Sequence, residues 1–355
     1  MRTDTGCAVD RRTFLAGAGA VGAALAAPRL FGGEDGAKPE GIRGMFLNLG
    51  HNMWSDRAEF EKDGPNKGRL TYTSASDTLR CDDAVWLRLT DRMAEKGLNT
   101  LVIDLGEGCA YPSHPELAVK GTWSVEKMRA ELARLRGMGI EPVPKLNFST
   151  SHDTWLKHWG RMVSTQEYYR TCADVIRDVC EIFDRPRLFH LGYDEETAGH
   201  QSNYDFCVVR RGELWWHDFM FFVKTVEDLG MRPWIWSDYA WKHKDEFVAK
   251  MPKSVLQSNW YYRQWFDFET IPKDRYAHLE TFVTLEKAGF EQVPTGSNWV
   301  VDENMSNLVK FCRERIAPER LKGFLMTTWG PTMPDSEAKL AKGIDLAAAA
   351  FSQGA

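Results

Sequence analysis

The chain has 355 residues, with 45 Lys and Arg against 50 Asp and Glu and a formal net charge of −5. A slightly acidic balance without a basic stripe leaves nucleic acid out as a partner. Beyond the N-terminal segment no apolar run is long enough to span a membrane, and the cysteines after Cys7 are scattered without a C-x-x-C pair, so mostly free, packed thiols are expected.

Asp10-Arg11-Arg12-Thr13-Phe14-Leu15 is a twin-arginine motif, followed by a weakly apolar Ala/Gly stretch and a plausible cleavage site at Ala24-Leu25-Ala26. Residues 1–26 are therefore expected to be an export signal, 27–40 a short linker and 41–355 one catalytic domain. The signal implies export by the twin-arginine route to the periplasm or the outside, without a membrane span in the mature chain.

From there, short β-rich runs alternate with amphipathic stretches. Strands are expected at Arg43–Leu49, Thr100–Leu105, Glu141–Leu146, Arg187–Leu191, Arg232–Trp236, Ser254–Asn259, Glu291–Thr295 and Lys322–Thr328. Helices are expected at Asp82–Lys96, Ser124–Met138, Thr165–Phe183, Glu213–Leu229, Lys244–Lys250, Arg275–Ala288, Glu303–Ile316 and Ser336–Phe351. Gly97, Gly139, Gly230 and Gly289 stand just past helical stretches and before strands, the usual helix-ending signal, and Ser124 is placed to cap its helix. Eight β-then-α rounds predict an α/β fold of the (β/α)8 TIM-barrel class. A doubly wound sheet would want a glycine-rich phosphate loop after the first strand, where the sequence is Asn48-Leu49-Gly50-His51-Asn52.

In such a barrel the residues just past each strand converge on the catalytic face. They include Asn48 and His51, then His152, His190, Asp194 and Glu195, then Trp236 and Asp238, then Trp260, Tyr261 and Tyr262, and last Trp299 and Trp329. The set combines carboxylates for bond chemistry, amides for hydroxyls and indoles for flat apolar faces, and suits a sugar. The 14 Trp of the chain, many in loops or at strand ends, fit the same reading. A carbohydrate substrate is expected, with no cofactor and no metal. Glu196 is expected to be a solvated neighbour of the acidic pair.

The most specific segment is His190-Leu191-Gly192-Tyr193-Asp194-Glu195. It resembles the His-x-Gly-Gly-Asp-Glu signature of family 20 glycoside hydrolases, the β-N-acetylhexosaminidases, with Tyr193 at one glycine position. Tyr111 to Leu117, Gly139 to Pro144 and Leu256 to Tyr262 resemble further stretches of that family's barrel, and His152 and Trp329 resemble single residues of it. The resemblance implies a retaining hydrolase with substrate-assisted catalysis. Asp194 would hold the substrate's 2-acetamido group, which attacks the anomeric carbon, and Glu195 would be the acid/base. Glu195 is expected to have a raised pKa through burial and its acidic neighbour. The family's sugar-gripping Asp and Arg after strand one correspond to Asn48 and His51. Two other readings compete: a metal-dependent hydrolase using His51, His152, His190 and Asp194, and a barrel that binds glycan without cleaving it.

Overall fold

In the computed structural model the described residues are 41–56, 73–202 and 204–352. The expected signal and linker lie outside them.

Eight parallel strands run β1 (Ile42–Asn48), β2 (Thr100–Asp104), β3 (Glu141–Lys145), β4 (Leu188–His190), β5 (Arg232–Trp236), β6 (Leu256–Ser258), β7 (Thr295–Ser297) and β8 (Gly323–Thr327). Eight helices alternate with them: α1 (Asp83–Glu95), α2 (Val125–Gly137), α3 (Gln166–Ile182), α4 (Glu213–Asp228), α5 (Lys244–Lys250), α6 (Tyr276–Lys287), α7 (Asn304–Arg315) and α8 (Pro334–Phe351). The ladder order is β6-β5-β4-β3-β2-β1-β8-β7. Isolated bridges Gln257↔Gln292 and Trp260↔Thr295 join β6 to β7 and close the ring, so the fold is a (β/α)8 barrel.

One strand sits later than expected. The run anticipated at Glu291–Thr295 contains Pro294, which has no N–H to give to a ladder. Gln292 and Val293 still bond across to Arg320 and Gln257, but continuous pairing begins only at Thr295. The helix signals behave as expected. Ser124 accepts from the Lys127 N–H, and the four helix-ending glycines take left-handed φ between 73° and 81°.

Strand alternation explains how the interior is filled. Side chains on one parity point into the barrel and form an inner core that includes Phe46, Val102, Val143, Leu188, Trp234 and Trp236. The opposite parity packs outward under the helices. Toward the C-terminal end of the barrel the inner layer turns polar: Lys145 Nζ meets Asp104 Oδ2 at 2.5 Å, both side chains almost wholly buried. Each of these buried charges has the other as its partner, which offsets the cost of taking it out of water. Trp260 and Trp329 pack on top of this inner core and carry it into the catalytic face.

All six cysteines after Cys7 are unpaired, with Cys207 exposed and Cys81 half-buried. Among the described residues no helix is long and apolar enough to cross a membrane.

Candidate active site

The loop after β4 carries unusual backbone. Gly192, Tyr193 and Glu195 all have left-handed φ, at 66°, 74° and 54°. A Cβ on Gly192 would lie 2.3 Å from the Asn147 side chain, so only glycine fits there. Each non-glycine residue held in this region costs roughly 1–3 kcal/mol, which the surroundings must offset. Tyr193 is anchored by its ring: it packs on Trp215, Phe219 and Phe222, and the Arg210 guanidinium sits 4.8 Å from the ring centre. That packing accounts for a tyrosine in a conformation that favours glycine. Arg210 in turn is tied to Glu196 at 2.6 Å and Asp218 at 3.1 Å, with all three side chains buried. Glu196 is thus a structural ion-pair partner under the loop, not the solvated neighbour expected, because the loop folds its side chain inward onto Arg210.

The strained turn delivers Asp194 and Glu195 to a cavity of about 470 Å³ at the C-terminal face. Asp194 is buried and accepts a 2.7 Å hydrogen bond from Asn147 Nδ2, while Asn147 Oδ1 accepts from the Tyr193 N–H at 3.0 Å. Asn147 therefore fixes both the loop and the carboxylate. Glu195 is partly open to the cavity, its side chain 27% exposed. Its two oxygens face two histidines: His152 Nε2 at 3.6 Å and His200 Nε2 at 3.4 Å. The Glu195 N–H donates to Asp238 Oδ2 at 2.9 Å.

The electrostatics run opposite to expectation at Glu195. Burial pushes its pKa up, but the His200 hydrogen bond and the charges of His152 and His200 outweigh burial and hold it below the ordinary glutamate value. His200 is correspondingly raised by its bond to Glu195. The suppressed glutamate and the raised histidine make their pair most stabilising at mildly acidic pH. The glutamate's share is lost as pH falls through its lowered pKa, and the histidine's as pH rises through its raised one. Asp238 is pushed well above the usual carboxylate range, first by burial and then by the charge of Asp194.

No protein-family model and no curated protein matches this sequence. Solved structures do. The exo-β-N-acetylglucosaminidase of Vibrio harveyi, in complex with N-acetylglucosamine, aligns with a TM-score of 0.59 at 14% identity, over 89% of this chain and 55% of that one. The β-N-acetylhexosaminidase of Bacteroides fragilis gives 0.57 at 13% identity, over 86% of this chain and 65% of that one. Dispersin B gives 0.52 at 14% identity, over 90% and 100%. The fold is that of the family 20 catalytic barrels. The chain spans about half the length of the Vibrio enzyme.

Within this barrel the expected site residues divide into two groups. His51, His152, Asp194, Glu195, Trp260, Tyr262, Trp299 and Trp329 line the cavity. Trp260 and Tyr262 stack with ring centres 5.0 Å apart, and Lys339 Nζ lies 4.0 Å above the exposed Trp299 ring. Asn48, His190, Trp236, Asp238 and Tyr261 do not line it. Asn48 braces the loop after β8 through Gly330 O at 2.9 Å. His190 is buried in the barrel, its Nδ1 accepting from the Gly192 N–H, and burial keeps it well below the ordinary histidine pKa. Trp236 follows Trp234 on the inward parity of β5 and lies beneath the cavity, 4.3 Å from the His190 ring. Tyr261 points outward between its two inward neighbours and packs on Phe266. Asp238 lies on the far side of Glu195.

With His190 committed to the core, the set His51, His152, His190 and Asp194 does not assemble around one point. Among the described residues, the group that could hold a cation is His152, Asp194 and Glu195, with ligand atoms within 4.8 Å of one another. Asn147, one of the converging strand-end positions past β3, lines the cavity too. Trp54, His200 and Lys339 are additions to the expected site. His200 comes from ten residues along the β4 loop, five beyond Glu195, and Lys339 from α8, which strand-end counting does not reach.

Proposed function

We propose that this chain is an exported glycoside hydrolase of the retaining β-N-acetylhexosaminidase type. The observation that carries the reading is the Asp194–Glu195 pair, with Asp194 pinned by Asn147 and Glu195 open to an indole-walled cavity. Glu195 is placed to protonate a leaving oxygen. Asp194 is the neighbouring residue, an oxygen of its carboxylate within 4.8 Å of one of Glu195 and bonded to Asn147. The other carboxylate lining the cavity is the exposed Asp335 on the first turn of α8. A nucleophile supplied by the substrate fits this arrangement: Asp194 orients the 2-acetamido group, whose carbonyl oxygen attacks the anomeric carbon as Glu195 gives its proton to the leaving oxygen. Water then opens the cyclic intermediate, with Glu195 taking the proton back. Trp260, Trp299 and Trp329 supply faces for the ring. Fold neighbours that act on N-acetylhexosaminides support the reading. The Arg11-Arg12 motif supports export to the periplasm or beyond.

Two displacements at one carbon give net retention. Nuclear magnetic resonance of the first-formed sugar should show the β-anomer; an initial α-anomer would rule the mechanism out. The histidines make a pH prediction. Glu195 must be protonated for the first step, so kcat/KM should fall as pH rises through its suppressed pKa. His200→Gln removes a cationic partner and should carry that basic limb to higher pH. A limb that stays in place would show that His200 does not set the acid.

A further inference from the structure

A second cavity, of about 490 Å³, opens on the other side of Glu195. Among the described residues lining the two cavities, Glu195 alone is shared. A general acid must lie within hydrogen-bond reach of the oxygen it protonates. If the reacting sugar fills the indole-walled cavity, the leaving group falls on this second side. The aromatic wall is continuous across the divide: Trp260 of the first cavity lies 4.4 Å from Trp241 of the second. Tyr239, stacked between Trp215 at 3.9 Å and His243 at 4.3 Å, braces the wall behind it.

The charges of this cavity are one-sided. Glu196 and Arg210 neutralise each other in their buried pair. That leaves Arg211 and Lys242, both exposed at the lining and neither with a carboxylate partner among the described residues. His200 and His243 add two groups that can carry positive charge. Against them stand Glu195, which is neutral when it acts as an acid, and Asp238, which burial and the charge of Asp194 hold well above the usual carboxylate range. The N-terminus of the 16-residue helix α4 opens here as well: Gly212 lines the cavity and caps the helix without a side-chain hydrogen bond, which leaves the positive end of the helix dipole directed toward it.

We propose that the second cavity is the leaving-group subsite and that it takes an anionic sugar, so that the substrate class is an N-acetylhexosaminide linked to a uronic acid. Arg211 and Lys242 hold the carboxylate, beside the Trp241 ring. This rests on the hexosaminidase reading for the direction of the substrate, but the cation-dependent binding does not.

The test is calorimetry on the full chain carrying Glu195→Gln, so that ligands are not turned over. The ligands are an N-acetylhexosaminyl-glucuronide disaccharide and the same disaccharide with its carboxyl reduced to the alcohol. The uronate should bind on the order of tenfold more tightly at low salt, the scale of one charge-assisted pair. The preference should shrink as salt is raised and fall to about one with Arg211→Gln and Lys242→Gln combined. Equal binding of the two disaccharides, binding of neither, or a preference that survives both substitutions would overturn the proposal. Wild-type hydrolysis of a chromogenic N-acetylhexosaminide reports separately. If it fails while the uronate preference holds, the hydrolase reading falls and the anionic subsite stands; if it succeeds without the preference, the reverse is true.

Discussion

Glu195→Gln should lower kcat on an N-acetylhexosaminide by about 10²–10⁴-fold, the usual contribution of a positioned general acid. That corresponds to about 3–5 kcal/mol of lost transition-state stabilisation. The substitution keeps the shape of the side chain and removes only the transferable proton. The left-handed backbone at Glu195, its N–H bond to Asp238 and the packing of Tyr193 beneath it are all retained. Folding and ligand binding should therefore change little. The loss should also depend on the leaving group. A sugar alkoxide needs the proton, whereas a dinitrophenolate leaves without help, so the defect should be much smaller for a dinitrophenyl glycoside. An equal defect for both leaving groups would mean that Glu195 does something other than protonate the leaving oxygen.

Asp194→Asn should cost about 10²-fold or more, through orientation and not through proton transfer. Asp194 is buried, with one oxygen bonded to Asn147 and a His152 nitrogen 3.7 Å away. These neighbours hold its carboxylate, and a misplacement of an ångström in a near-attack geometry is worth about two decades in rate. An amide in its place sets two N–H donors among neighbours that include the Asn147 amide and cannot accept the acetamido N–H in the same way. The defect should show in kcat at every leaving group, in contrast to Glu195→Gln. The two substitutions are thus distinguishable by the leaving-group series alone. A variant of Asp194 that loses activity only with poor leaving groups would exchange the proposed roles.

Much of the architecture was legible because two periods and a punctuation mark repeat around the chain. Apolar runs such as Leu101-Val102-Ile103 are buried throughout, as strands inside a parallel barrel must be, and the glycines after α1, α2, α4 and α6 close their helices. The one displaced strand traces to Pro294, whose missing N–H delays pairing to Thr295. At the site, the residues past each strand could be named, but their direction could not. Whether Tyr261 or Tyr262 faces the cavity depends on the parity with which the strand ends, and a shift of one residue reverses it. Tyr261 ended on the outer face, while Tyr262, one step along, ended on the cavity side, and Trp236 has the inward parity but lies a layer below the cavity, against His190 and Trp329. The direction of the Glu195 shift was hidden for another reason. It is set by His200, which the β4 loop folds back onto it, and by His152 from the loop after β3. Sequence adjacency to Asp194 and Glu196 suggests a raised pKa, but Glu196 spends its charge on Arg210 instead.

The account centres on a nucleophile that comes from the substrate, and one comparison tests that most directly. Initial rates of the wild-type chain should be measured on two chromogenic β-glycosides that differ only at C2, one bearing the acetamido group and the other a hydroxyl. The account predicts ready cleavage of the acetamido glycoside and little or none of the hydroxyl one. Comparable cleavage of both, or a preference for the plain glucoside, would contradict it.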